Sequence, residues 1–365
     1  MGFKEMDMLR DGPQGANVVA FKPRDVTPES WLKIGDNILN HRHRPETLPW
    51  ITENVFLLVM ARRCGLSLGS EFRRMYRDAY ESLPEFLQFQ PDSYCMILTI
   101  ATELERQGMS GNLAGRMVQW IKSRDLIAAE PSDNQRLFAS WQMWQHGTSG
   151  LGEAEDQALI RRTMQRVSRA DLYAQLPLGV ELAQSVAQLT AMGGLRSLAS
   201  DAIKSSLRNA VFYAYLASDD LTLARLSSVY GMLGMVLPQP IENYILKQLS
   251  RVRLEPGFDL GKPDHLTFYI AAQVTAYTAN QGVFAETLPE GGFSAQLPRV
   301  TTTPMREISE IIRTMKSRRC GNWQQMQPEI ERQLSFPAFN RLRSAAGCPG
   351  FEAFFEVFSR PYERL

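Results

Sequence analysis

The sequence predicts an all-α protein, and three observations carry that expectation. Helix-length apolar periods succeed one another along almost the whole chain. Most open on a Ser, Thr, Asp or Pro start signal and several stop at a glycine. Alternating strand-like runs are almost absent. The 365 residues are 44% hydrophobic and 22% charged, a balance that can bury a sizeable core. That length suggests two or three packed units.

Residues 1–25 read as an arm, because GPQGAN and FKPRD are turn-rich and sustain no amphipathic period. Thr27-Pro28-Glu29-Ser30 opens the first periodic segment, which carries Trp31, Leu32 and Ile34. Ile51 to Arg63 starts at Thr52-Glu53-Asn54 and ends near Gly65. Ser70 to Phe89 spaces Phe72, Tyr76, Tyr80 and Leu83 as one helix face. Pro91-Asp92-Ser93 begins the next helix, with Met96, Ile97, Ile100 and Leu104 on one face and Gly108 as its stop. Further helices are expected over 112–124, 134–146, 153–174, 179–192, 196–217, 219–235, 240–253, 264–281, 304–318, 323–334 and 350–359. Leu297 to Thr303 suits a short strand or extended loop, and the Gly-rich stretch 282–298 is the longest irregular interior segment. Helix spacings are irregular, which argues against a TPR, ankyrin or HEAT array.

Charge and motifs exclude several function classes. Lys plus Arg is 40 and Asp plus Glu is 39, so the net charge of +1 rules out a globally basic binder and leaves room for a local basic face. No apolar run approaches the roughly 18 residues that span a bilayer; Val55 to Ala61 stops at Arg62, and no membrane insertion is expected. The opening MGFKEMDMLRDGP has no apolar core of a secretory leader, and Met6 breaks the myristoylation pattern after Gly2. Cys64, Cys95, Cys320 and Cys348 are widely spaced, without CxxC, and read as reduced, partly buried thiols in a cytosolic setting.

GxSxG, Walker A, HExxH and GxGxxG are all missing, so neither catalysis nor a cofactor or metal is expected. His41-Arg42-His43-Arg44 reads as a solvated basic turn, since a metal there would need an extended segment and a nearby Cys or carboxylate. Asp219-Asp220 reads as the cap of a helix beginning at Leu221, not as a general acid.

What remains is where the cations fall. Arg161, Arg162, Arg166 and Arg169 crowd into nine residues, with Arg162, Arg166 and Arg169 on one helix face. Arg299, Arg306, Arg313, Lys316, Arg318 and Arg319 stand against only Glu307 and Glu310. A third group is Arg106, Arg116, Lys122 and Arg124, with Trp120 one turn from both Arg116 and Arg124; a fourth is Arg196, Lys204 and Arg208. Guanidinium forks suit phosphate oxygens. Any one such face is commonly just solvated; their spread over both halves of a near-neutral chain fits a groove that holds a single strand by its backbone.

Residues 216–257, LASDDLTLARLSSVYGMLGMVLPQPIENYILKQLSRVRLEPG, resemble the hinge-to-C-lobe region of nucleoproteins of non-segmented negative-strand RNA viruses, the Mononegavirales. The stretch has the acidic-Leu-Thr-Leu helix start, a leucine/tyrosine helix ending in Gly, then a Pro-initiated helix with Glu-Asn followed by basic residues. HLTFYIAAQVTAYTAN is similar in placement to the aromatic helix that follows in that family, and PDSYCMILTIATELERQGMSGNLAG is similar to a pneumovirus-like patch. The family's paired-arginine helix would correspond to Arg161-Arg162, or to Lys122-Ser-Arg124. The Phe-x4-Tyr-x4-Ser-Tyr-Ala-Met-Gly box of paramyxoviruses is not reproduced; only Phe268, Tyr269 and Tyr277 lie nearby. The long acidic tail is absent too, and the length is nearer to bornavirus- and pneumovirus-like proteins.

The resemblance implies an N-terminal arm over 1–25, helical lobes over 26–208 and 209–321 flanking an RNA-binding cleft, and C-terminal helices over 322–365 that act as a second exchange arm. It implies a protein without catalysis that polymerises on single-stranded genomic RNA, in the virion and the host-cell cytoplasm. Its partners would be further copies of itself, a viral phosphoprotein and the polymerase. Phosphate contacts would come from Arg106, Arg116, Lys122, Arg124, Arg161, Arg162, Arg166, Arg169, Lys204, Arg208, Arg299, Arg306 and Arg313. Oligomer contacts would come from Val18, Val19 and Phe21 and from Phe351, Phe354, Phe355 and Phe358, although four phenylalanines after Cys348-Pro349-Gly350 also suit an internal core. The rival readings are a helical-toroid enzyme acting on a peptide or isoprenoid, and a cellular scaffold. The enzyme would need a DDxxD cluster or a zinc triad, and Asp219-Asp220 lacks the further acidic residue.

Overall fold

The computed structural model describes residues 28–63, 65–169, 177–190, 192, 194–278, 288–298 and 303–359. Among these residues the elements are α-helices with two short strands, as the apolar periods require. The chain divides into two compact units. The first comprises the described residues through Thr163, Leu254–Ile270 and those of Gln281–Ala295; the second comprises those of Met164–Arg253, Ala271–Asn280 and Gln296–Leu365.

The first unit begins with α1 (Pro28–Asp36), which buries Trp31 and Ile34 and runs into one π-helical turn, Asn37–Arg42. Then come α2 (Leu48–Arg63), α3 (Ser70–Met75), α4 (Arg77–Phe89), α5 (Tyr94–Arg106), α6 (Leu113–Ser123), α7 (Asp133–Gln145) and α8 (Glu153–Ser168), the last shared between the units. Helix α5 is buried on nearly every side because α2, α4, α6 and α7 all pack on it. The single helix expected over Ser70 to Phe89 is two, broken at Tyr76. The break turns the Tyr76 ring wholly inward, onto Phe72 at 4.5 Å, and lets its hydroxyl donate to Asn54 Oδ1 at 2.6 Å. A buried phenol that finds an acceptor recovers part of its desolvation cost.

The His41-Arg42-His43-Arg44 expectation is corrected here. The Arg42 side chain is 1% exposed. Its Nε and Nη2 donate to the two Glu53 oxygens at 2.8 Å each, Nη2 donates to Asp264 at 2.6 Å, and Nη1 donates to the Phe293 carbonyl at 3.2 Å. Phe258 lies under the guanidinium at 4.1 Å. Burial works to lower the Arg42 pKa, and the carboxylates of Glu53 and Asp264 outweigh it, so the group is held above its ordinary value. His41 pairs with Asp36, and His43 with Glu53. The Asn37 amide adds a two-way bridge to the Phe293 backbone, at 3.0 and 2.9 Å. These bonds fasten the π-turn to β2 (Phe293–Gln296), which pairs with β1 (Arg253–Pro256). The strand thus stands just before the stretch where an extended segment was expected, and residues 299–302 lie outside the described residues.

The second unit is built on α9 (Pro177–Leu189), α10 (Asp201–Ala217), α11 (Asp220–Leu233) and α12 (Gln239–Leu249). After α13 (Leu266–Thr278), also shared between the units, follow α14 (Pro304–Thr314), α15 (Trp323–Gln333), α16 (Phe336–Ala346) and α17 (Phe351–Phe358). Ser200 caps α10 through the Ile203 amide, and Gly234 in the left-handed region closes α11. Two expectations fail in this unit. The boundary at 208/209 falls inside the continuous helix α10. The helices of 322–365 are no free arm: Phe351, Phe354 and Phe355 are each 1% exposed. Phe351 and Phe354 meet Phe212 at 5.6 and 5.5 Å, and Phe351 and Phe355 meet Trp323 at 5.1 and 5.0 Å. Half-buried Phe358 stacks on Phe354. Three of the four rings assigned to oligomer contacts, Phe351, Phe354 and Phe355, are therefore core of their own unit, where they meet Phe212 and Trp323, and Phe358 lies at the edge of that core.

Asp219 caps α11 by accepting from the Thr222 amide at 3.0 Å, as its sequence position implies. Asp220 turns inward, where Tyr244 Oη donates to it at 2.6 Å and Gln248 Nε2 at 2.9 Å. Burial raises the Asp220 pKa above its ordinary 3.8, against the two hydrogen bonds. The folded protein thus holds this proton more tightly than the unfolded chain does. Its contribution to stability is fullest below 3.8 and declines as pH rises through the folded value. Asp220→Asn is expected to flatten that decline, so urea midpoints of variant and parent should diverge with rising pH across the acidic range. A gap that stays constant with pH would refute the assignment.

Candidate nucleic-acid interface

In the first unit, α6 turns Leu113, Ala114, Met117, Val118 and Ile121 inward and leaves Arg116, Gln119, Lys122 and Ser123 in solvent. Exposed Arg124 follows the helix and lays its guanidinium 4.4 Å from the Trp120 ring centre. Arg116, Lys122 and Arg124 make no ion pair among the described residues, although Arg116 lies close enough to Tyr80 to lower the phenol's pKa against burial. From Met109 to Ala129 the only acidic residue is Asp125. Arg106 differs from its neighbours. It donates to Glu103 at 3.0 Å and to Gln145 at 2.8 Å, and Glu103, 1% exposed, also takes Arg62 at 2.8 Å. Two arginines are thus held by one buried carboxylate, so Arg106 is the least available of this group to a phosphate.

The three arginines of α8, Arg161, Arg162 and Arg166, and Arg169 just after it are exposed but not equivalent. Arg162 is held by Asp133 at 3.0 Å and Glu155 at 2.9 Å, and these hydrogen bonds raise its pKa. Arg166 reaches Glu181 at 3.9 Å and Ser185 at 3.3 Å. Arg161 and Arg169 have no ion pair among the described residues. The face expected to bind the strand is therefore half neutralised by its own protein's carboxylates, which the i, i+4, i+7 spacing could not show.

In the second unit, Lys204 pairs with Asp201 at 3.5 Å and Arg306 with Glu310 at 3.1 Å. Arg208 is half-buried, its stem against Gly350, and it opposes the upward push of burial on the Tyr230 phenol. Arg313, Lys316 and Arg318, at the end of α14 and in the 3-10 turn after it, are exposed and have no ion pair among the described residues. Half-buried Arg319 bonds back to the Lys316 carbonyl. Phe268 and Tyr269, each 2% exposed, belong to the core and offer no ring to a ligand. Arg299, Val18, Val19 and Phe21 lie outside the described residues, as does the Tyr277 side chain.

One open groove on the first unit is lined by Lys33 and Arg74 against Asp36, Glu71 and Glu290, a balance that does not favour an anion. No group of three or more potential metal ligands occurs among the described residues. No helix of the described residues is long and apolar enough to cross a membrane. A family described as a domain of unknown function, DUF6902, matches residues 16–361. The chain belongs to this family. The shared domain thus takes in both units and reaches back to Ala16, ahead of α1. No curated protein and no solved structure matches the chain.

Proposed function

We propose that this member of the family is an RNA-coating protein of the nucleoprotein type. It binds single-stranded RNA through the phosphate backbone, without regard to sequence and without catalysis, and assembles along the strand. The observation that carries the reading is that each unit keeps exposed cations with no carboxylate partner while the whole chain is near neutral. Among the described residues, those cations include the clusters Arg116, Lys122 and Arg124 in the first unit and Arg313, Lys316 and Arg318 in the second. Unlike Arg162, Arg306 and Lys204, which are held by carboxylates of the protein, these cations are available to a phosphate. Contacts to phosphate position a strand without reading its bases, which suits a protein that must accept any sequence. Assembly into a nucleocapsid, and docking of a phosphoprotein and polymerase on it, extend the same reading.

Protein purified without nuclease is expected to carry host RNA, seen as an excess of nucleic-acid over protein absorbance. The stripped protein should then bind uridylate and adenylate polymers alike, with log K falling linearly in log salt by about 0.7 per phosphate contact. Clean protein that binds neither polymer at low salt would sink the reading and leave the enzyme or scaffold.

A further inference from the structure

The chain has six tryptophans, and five are sealed in the interior: Trp31, Trp50, Trp141, Trp144 and Trp323 are at most 8% exposed. Trp120 alone is only half-buried. It sits at the edge of the apolar face of α6, one turn after Arg116 and one turn before Arg124, with Lys122 exposed beside it. Arg124 lies over its ring at 4.4 Å, and the Ser123 hydroxyl donates to the Trp120 carbonyl at 2.8 Å, fixing the helix end that carries both.

An indole left at the surface among three cations without ion pairs is a poor core residue. As a ligand-binding residue it is well placed. Its π-face accepts any planar base, and the flanking cations meet the phosphates on either side of that base. Among the described residues, the α8 arginines stand among carboxylates and Gln165, and Arg313 to Arg318 among Thr314 and Ser317, while exposed Arg343 lies over half-buried Phe339 at a longer 5.7 Å.

We infer that Trp120 is a stacking platform for one base of a single-stranded nucleic acid, with Arg116, Lys122 and Arg124 on the adjoining phosphates. The inference rests on the proposed RNA binding and adds to it a named contact and a preference. A base already stacked inside a duplex has no free face to offer, so the site takes single strands over double strands. Because every base has a π-face, the contact discriminates strandedness and leaves sequence unread. The guanidinium of Arg124 lies over the indole ring, so a base that takes this face displaces it onto the adjoining phosphate.

Trp120 also supplies the readout, since it is the one tryptophan of the six that is not buried. Titration with short uridylate or adenylate oligomers should quench and shift the tryptophan emission, and the same strand presented as a duplex should do so weakly. Inorganic polyphosphate, which has charge and no bases, should bind without quenching. In Trp120→Phe the fluorescence response should disappear while most of the affinity, read by anisotropy of labelled oligomer, remains. In Trp120→Ala the affinity should fall about tenfold, equivalent to about 1.4 kcal/mol, with polyphosphate binding unchanged. Circular dichroism of both variants, and the wild-type titration that needs no variant, separate this outcome from misfolding. Oligomers that bind wild type and Trp120→Ala equally, without quenching, would overturn the platform and leave phosphate binding standing. Oligomers that do not bind wild type at all would overturn the proposed function and the platform with it.

Discussion

Arg42→Met is expected to destabilise the first unit by about 3–5 kcal/mol, the range for removing one partner of a buried ion pair. The side chain it replaces is 1% exposed and serves two carboxylates, a backbone carbonyl and an aromatic face. Methionine fills part of the volume but takes the guanidinium from both Glu53 and Asp264, which are only 14% and 15% exposed. In a domain of 150–250 residues each kcal/mol moves the thermal midpoint by about 2–4 °C, so a fall of roughly 6–20 °C is expected in calorimetry. Hydrogen exchange should locate the loss. Amides of the π-turn, α2 and β2 should exchange faster, because Arg42 joins all three, while α10 and α11 keep their protection. Adding Glu53→Gln and Asp264→Asn to the methionine variant removes the stranded charges and should restore part of the midpoint. A methionine variant that melts with the parent would falsify the view that this arginine pins the unit.

That arginine also shows where reading the sequence stops. His41-Arg42-His43-Arg44 looks like a solvated turn because Arg42 has only histidines and another arginine beside it in sequence. Its counter-charges come from 11 and 222 residues away, and no local pattern encodes them. By contrast, Asp219, Ser200 and Ser132 are helix caps in the structure because the cap is a local device, a side-chain oxygen two or three residues from the amide it accepts. Helix α16 has a local signal in the proline of its first turn, Pro337, but Ser335 ahead of it makes no capping bond and donates its hydroxyl to Glu307 instead. The split at Tyr76 had no such signal, since it serves a hydroxyl partner 22 residues back. For the candidate interface, spacing found the cationic faces but not their state. Arg162 is held by a carboxylate 29 residues away and Arg106 by an amide 39 residues away, whereas Lys122 and Arg124, identical in pattern, meet only solvent and an indole. The four-phenylalanine helix could be read as core or as docking surface from its composition. Phe212 and Trp323, neither adjacent in sequence, decide for core.

Alanine at Arg313, Lys316 and Arg318 together is expected to weaken binding to a uridylate polymer about a hundredfold at 0.1 M salt. Each lost contact with a single strand removes about 0.7 from the slope of log K against log salt, so three remove about 2.1. The electrostatic part extrapolates to nothing near 1 M salt, and one decade lower the same figure is the loss in log K. These three are a cleaner choice than the arginine-pair helix first suggested by resemblance. Reversing Arg162 would set a new carboxylate against Asp133 and Glu155, so a loss of binding there would mix lost contacts with a disturbed fold. Arg313, Lys316 and Arg318 are exposed and without ion pairs among the described residues, and substitutions at such positions usually shift stability by less than about 0.5 kcal/mol each. The loss should be the same for adenylate as for uridylate polymers. A loss confined to one base would mean that these side chains read base edges, which a sequence-indifferent coat cannot do. An unchanged salt slope in the triple variant would mean that Arg313, Lys316 and Arg318 do not touch the strand, and that the second unit's part in the proposed interface is wrong at this helix end.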